Sequence, residues 1–111
     1  MRLSPLDPYE YRFCAGLALA HLVARRYEVA VEWVDRSLLE QPRYSVAIRI
    51  KVVLCAYLGQ IDEAGVWLRR LFGVQPGLTI AAYKKAVEKY FPPDTQAVYV
   101  EGFRMAGMPE E

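Results

Sequence analysis

The chain has 111 residues, of which 54% are hydrophobic, 24% charged and 13% aromatic, and its formal net charge is +1. A chain of this length fits one domain and buries only about 65% of its unfolded surface, which argues against a multidomain enzyme. Its hydrophobic content is too high, and its net charge too low, for a disordered segment. Fourteen basic residues against 13 acidic ones leave a positive excess of only one, so we expect neither nucleic acid nor an anionic membrane as a partner.

The N-terminal residues and the cysteines indicate a soluble, cytoplasmic protein. No apolar signal-peptide core follows Met1, and the longest apolar stretch, Phe13 to Ala24, is far shorter than the roughly 20 residues of a membrane-spanning helix. Cys14 and Cys55 each lie in an apolar helical pattern and outside any C-x-x-C pair. We therefore expect two buried thiols rather than a disulfide.

Six helices are predicted from apolar spacing and from the residues that start and stop them. The first begins at Pro8, where Asp7 and Glu10 form a capping box, and ends before the turn Arg25-Arg26. The others run from Tyr27 to Pro42, from Ser45 as N-cap to Gly59, from Ile61 to about Phe72, from Thr79 as N-cap to about Tyr90, and from Asp94 as N-cap to near Gly107. No segment combines strand alternation with hairpin-turn residues, so the predicted fold class is all-α, built from antiparallel helix hairpins.

A period of 34 residues relates the first two hairpins. Pro8, Pro42 and Pro76 are spaced by 34, and the same spacing separates Ala30 from Ala64, Trp33 from Trp67, and Arg36 from Arg70. A helix hairpin of this length cannot bury its apolar face alone. Stacked copies therefore share a core, and the terminal copies act as caps.

These residues resemble the tetratricopeptide repeat, whose pattern is a large residue, Leu-Gly and an aromatic, then Ala, a bulky apolar residue and Pro. The first copy holds Cys14, Leu17-Ala18, His21, Ala30, Val34 and Pro42 at these places, and the second holds Ile48, Lys51-Val52, Cys55, Ala64, Leu68 and Pro76. The resemblance implies a right-handed superhelix of antiparallel hairpins, an α-solenoid of about six helices. Lys51 departs from the expected Leu, and we expect its stem to pack while its amine reaches solvent.

The same resemblance divides the chain into four parts. Residues 1–7 are expected to be the end of a preceding segment, 8–44 the first repeat, 45–78 the second, and 79–111 a degenerate third hairpin or C-terminal cap. In that third unit the helix from Thr79 is expected to stack as the next first helix, with the segment from Asp94 as the cap.

No motif for catalysis, a cofactor or a metal is present. The chain contains no phosphate-binding loop, dinucleotide fingerprint, nucleophile elbow or zinc-binding helix. His21 replaces the aromatic residue of the repeat on a packed face, and Asp62-Glu63 begins a helix, so both have structural interpretations. Trp33 and Trp67 are expected to pack within their repeats, with an exposed aromatic pair as the alternative. We therefore predict a protein that is not an enzyme and has no cofactor.

The resemblance places the binding surface on the inner face formed by the first helix of each hairpin. The residues predicted to bind a protein are Arg12, Leu19, Leu22, Val46, Arg49, Val53, Tyr57 and Tyr83. Some members of the family grip a terminal carboxylate, but Ala15 and Leu19 stand at the matching places, and the chain has no Asn. An open face this apolar is rare on monomers. Its expected cover is a partner helix or peptide, a second copy, or the tail from Asp94 to Met108, unless these residues only pack between hairpins.

Two functions are compatible with the sequence. The first is a non-catalytic protein–protein interaction scaffold, for which Leu19→Asp or Val53→Asp is expected to remove binding and leave the helices intact. The second is a C-terminal regulatory or dimerisation segment, because the tail from Phe91 to Pro109 resembles the endings of bacterial class III adenylate or guanylate cyclases and related regulators. That resemblance implies nucleotide chemistry elsewhere than in these residues.

Overall fold

Six α-helices account for most of residues 10–111, the part of the chain that the computed structural model describes. They are α1 (Tyr11–Val23), α2 (Tyr27–Glu40), α3 (Ser45–Tyr57), α4 (Ile61–Val74), α5 (Ile80–Val87) and α6 (Pro93–Ala106). Residues 10–111 contain no β-strand, so the predicted all-α fold class and helix number are confirmed. The predictions that concern residues 1–9, which include the end of a preceding segment and the helix start at Pro8, lie outside the described residues.

The helix starts differ from their predicted positions at three places. Glu10 is itself the N-cap of α1, because its carboxylate accepts from the backbone N–H groups of Arg12 and Phe13, so α1 begins at Tyr11 and the prediction that Glu10 lies inside the helix is wrong. Tyr44 rather than Ser45 holds the N-cap position of α3. Pro93 begins α6, which leaves Asp94 inside the first turn, where its charge suits the helix dipole.

Two other predicted helix boundaries are confirmed, at Thr79 and at Gly59. The hydroxyl of Thr79 accepts from the N–H of Ala82 and caps α5. Gly59, just after α3, has a φ of +78° and lies in the left-handed region that glycine reaches without strain. Helix α5 ends at Val87, earlier than the predicted Tyr90.

Residues related by the 34-residue period have matching surroundings. Ala30 and Ala64 are both fully buried, as expected for small residues between packed helices. Trp33 and Trp67 are both half-buried against the core, and each carries on its ring the guanidinium of the arginine three residues later. These two pairs of residues thus have similar surroundings in the first two hairpins.

The side chain of Lys51 packs along its stem and pairs at its amine. Its side chain is only 13% exposed, so the stem packs along the protein, while its Nζ lies 2.7 Å from Oδ1 of Asp35 on α2. The amine also lies 5.7 Å from the centre of the Trp67 ring. Lys51 therefore links the two hairpins rather than disturbing their register.

Helix α3 is the centre of the fold. It packs against α1, α2, α4 and α6. From residue 50 to residue 56 every side chain of α3 is buried except that of Lys51, which is half-buried. Cys14 and Cys55 are both buried, as predicted, and are not joined in a disulfide; burial raises the pKa of the Cys55 thiol. No helix within residues 10–111 has the length and apolar character needed to cross a membrane.

The last two helices do not continue the stack in the expected order. It is α6, rather than α5, that packs extensively against α3, while α5 packs mainly against α6. The expectation that the helix from Thr79 stacks as the next first helix is therefore wrong. The reason is that α6 carries the larger apolar face, which includes the buried residues Tyr99, Val100 and Phe103.

Candidate protein-binding site

The eight residues predicted to bind a partner do not share one open groove. Leu22, Val53 and Tyr83 are buried, Leu19, Val46, Arg49 and Tyr57 are half-buried, and Arg12 is exposed. Of the three covers considered for the inner face, the structure places the chain's own tail on α3, as helix α6. The predicted residues on α3 are thus contacts within the chain.

The closest approach of α6 to α3 is made by Gly102 over Val53. A Cβ atom added to Gly102 would lie 2.7 Å from Cγ1 of Val53 and 3.0 Å from its Cβ. Both residues are buried, Val53 completely. Only glycine allows the two helix backbones to come this close.

Tyr57 fixes the same pair of helices at the end of α3. Its hydroxyl donates to the backbone carbonyl of Val98 on α6, at 2.8 Å. Its ring stacks on that of Tyr27, with centroids 5.5 Å apart and planes 4° from parallel. Burial raises the pKa of Tyr57, so the hydroxyl stays a donor across the physiological range.

An aromatic cluster joins α5 to α6. The ring of Tyr83 lies 5.3 Å from that of Tyr99 and 5.1 Å from that of Phe103, and all three are buried. Burial raises the pKa of both tyrosines, and the neighbouring Tyr99 raises that of Tyr83 further. The Tyr83 hydroxyl has no hydrogen-bond partner among the described residues, so the ring's contribution is its packing.

The two arginines among the residues predicted to bind a protein already have partners. Nε of Arg12 lies 2.8 Å from Oε2 of Glu10, and Nη1 of Arg49 donates to Oε1 of Gln75 at 2.7 Å. Burial acts to raise the pKa of Glu10, but hydrogen bonds from the Arg12 side chain and the Phe13 N–H outweigh it and lower the pKa. Arg12, with 67% of its side chain exposed, remains the accessible cation of the two.

The C-terminal residues hold α6 against α5. The N–H groups of Ile80 and Ala81, at the start of α5, donate to the carbonyls of Pro109 and Glu110 at 2.9 Å each. Arg104 on α6 also pairs with the Glu110 carboxylate, at 2.8 Å. The buried Met108 fills the space between. Sequence reasoning missed Gly102 and Met108. For Gly102 the sequence did offer a signal, because this glycine lies inside a predicted helix between the aromatic residues Tyr99 and Phe103.

The two buried tyrosine hydroxyls give a matched test. Tyr57→Phe removes the hydrogen bond to Val98 and is expected to lower the free energy of unfolding by about 1 kcal/mol. Tyr83→Phe removes a hydroxyl without a partner, so stability is expected to stay level or to rise by up to about 1 kcal/mol. Urea unfolding followed by circular dichroism measures both. Equal losses in the two variants would contradict the hydrogen-bond assignment.

The described residues hold no three His, Cys, Asp or Glu side chains grouped as a metal site would require. His21 is half-buried, and its Nδ1 has no partner within residues 10–111. Comparison of the chain with protein-family models, with curated proteins and with solved structures gives no match. The tetratricopeptide and cyclase resemblances therefore stay predictions.

Proposed function

We propose that this chain is a non-catalytic interaction scaffold that binds an amphipathic helix on the face of α3 where α6 now lies. The observation that carries the proposal is the contact of Gly102 with Val53. A helix already seats there with its backbone close to α3, so this surface has the shape and the apolar character that helix recognition needs. With a net charge of +1, the proposed partner is a protein or peptide in the cytoplasm rather than nucleic acid.

Helix α6 also defines the chemistry of the guest. Its buried residues are Thr95, Tyr99, Val100, Gly102 and Phe103, which recur at spacings of three and four. A partner helix would therefore carry a small residue at the crossing point and large apolar residues three positions before it and one after it. Such a helix would take the place of α6, which competes with it as an intramolecular ligand.

The proposal can be tested by detaching α6 and returning it as a separate peptide. Gly102→Leu in the full chain is expected to push α6 off α3, because the added side chain overlaps Val53. A fluorescent peptide of residues 92–111 is then titrated onto the variant and onto the unmodified chain, and binding is followed by anisotropy. The variant is expected to bind at least about tenfold more tightly, because its own α6 no longer competes.

A second peptide with the same Gly102→Leu change is the matched control, and it is expected not to bind. Circular dichroism measures the helix content of the variant with and without peptide. If detaching α6 lowers the helix content of the variant, the unmodified peptide is expected to restore it. Equal binding of both peptides, or binding of neither with no gain of helix, would overturn the proposal.

A further inference from the structure

Arg25 has a positive φ, a backbone conformation that is held by a glycine at the corresponding position of the second hairpin. Its φ is +64°, and it is the only non-glycine residue of the described chain with a positive φ. The residue 34 positions later is Gly59, with a φ of +78°. The backbone of a residue with a Cβ atom is strained in this region, so Arg25 stands at a position where the fold favours glycine.

The two turns are otherwise the same. The N–H of Arg26 donates to the carbonyl of His21 at 2.8 Å, as that of Gln60 does to Cys55. The N–H of Arg25 donates to Leu22 at 3.0 Å, and that of Gly59 to Ala56 at 3.1 Å. The backbone of the turn therefore does not require arginine.

That side chain borders a cavity of about 290 Å³. The cavity is lined by Leu22, Val23, Arg25, Tyr27, Tyr57 and Val98. It lies where the end of α1, the start of α2, the end of α3 and α6 meet. Its volume is at the lower end of the range of about 300–1,000 Å³ for small-molecule sites, so it suits a ligand of one ring or one short branched chain.

The lining combines apolar walls with one cationic group. Three aliphatic side chains and the stacked rings of Tyr27 and Tyr57 surround the space, and the Tyr57 hydroxyl is already used by Val98. Arg25 is exposed and forms no ion pair with any of residues 10–111. The N-terminus of α2, which begins at Tyr27 with no side-chain cap, adds partial positive charge on the same side.

No acidic residue lines this cavity. The negative charge of Glu101 on α6 acts to raise the pKa of Tyr57, and the positive charge of Arg25 acts to lower it. Glu101, however, lines a separate cavity with Lys84 and Arg104 rather than this one. Arg25 is thus the charged residue of the lining.

We propose that this cavity binds a small apolar carboxylate, with its hydrocarbon part between Leu22, Val98 and the two tyrosines and its carboxylate on the guanidinium of Arg25. Arginine is suited to this task because its planar fork donates two parallel hydrogen bonds to one carboxylate. The site lies at the α1–α2 turn and shares Tyr57 and Val98 with the contact between α3 and α6, so it is complete while α6 lies on α3.

The probe is 3-phenylpropionate, titrated onto the uniformly ¹⁵N-labelled full chain and followed by amide chemical shifts. Saturable shifts are expected at residues 22–27, at Tyr57 and at Val98. The neutral 3-phenylpropanamide has the same shape without the charge, and it is expected to bind at least about tenfold more weakly because a charge-assisted pair is lost.

Two arginine variants complete the test. Arg25→Gly removes the cation at a position whose backbone suits glycine, so the fold is kept and affinity for 3-phenylpropionate is expected to fall by about tenfold or more. Arg26→Ala removes the neighbouring cation, which does not line the cavity, and is expected to leave affinity within about twofold. Equal binding of acid and amide, undiminished binding by Arg25→Gly, or no saturable binding by the unmodified chain would each overturn the proposal.

Discussion

Replacing Val53 with aspartate is expected to lower the free energy of unfolding by roughly 3–5 kcal/mol, the cost of leaving a charge buried without a partner. Val53 is fully buried on α3 beneath Gly102 of α6. The cation one helical turn before Val53, Arg49, already donates to Gln75. The new carboxylate would therefore be desolvated as long as α6 lies on α3. To hydrate it, the chain would have to move α6 away from α3.

The pH dependence of this loss identifies its cause. Desolvation raises the pKa of a buried carboxyl group above its unfolded value of about 3.9. The neutral acid is the form that the folded state tolerates, so the loss relative to the unmodified chain is expected to grow as the pH rises above about 4. Urea unfolding at several pH values measures it.

Leu19→Asp is the control for Val53→Asp. Leu19 is half-buried on α1, where the carboxylate can stay hydrated, so a loss of only about 1 kcal/mol is expected. The sequence predicts that both substitutions leave the helices intact. The structure predicts this for Leu19→Asp only, because Val53 is buried. If Val53→Asp unfolded at the same urea concentration as Leu19→Asp, α6 would not cover α3 in solution.

The first two hairpins could be predicted from the sequence because their signals are local. The bounds of α2, α3 and α4 follow from Pro42, from Gly59 and from apolar residues spaced by three and four. The 34-residue period also placed the buried pair Ala30 and Ala64 correctly. Each of these signals acts within one hairpin or between neighbouring ones, where spacing along the chain translates directly into contact.

The position of α6 could not be predicted in this way. Its contact with α3 joins residues about 50 positions apart, Val53 and Gly102, and no periodic pattern relates them. The contact depends instead on which of two late helices has the better apolar face. Likewise, the strained conformation of Arg25 has no signal in the first repeat itself and is recognised only by comparison with Gly59.

Gly102→Ala and Gly65→Ala are expected to change stability in opposite directions, although both replace a glycine inside a helix. Alanine is the better helix former by about 0.5–1 kcal/mol, and this gain applies to both sites. At Gly65 on α4 the new Cβ would meet only the end of Arg69, at 3.9 Å, so the free energy of unfolding is expected to rise by that amount. Thermal and urea unfolding of the two variants against the unmodified chain measure the difference.

At Gly102 the same methyl group would overlap Val53, whose Cβ and both methyl carbons lie within 3.0 Å of it. A β-branched side chain on a helix has essentially one rotamer, so Val53 cannot turn aside and the two helices must separate. We expect a net loss of about 1–3 kcal/mol, the usual effect of overpacking a core, together with reduced helix content if α6 detaches. A Gly102→Ala variant as stable as Gly65→Ala would mean that α6 and α3 are not in close contact, and the helix-binding face proposed on α3 would lose its basis.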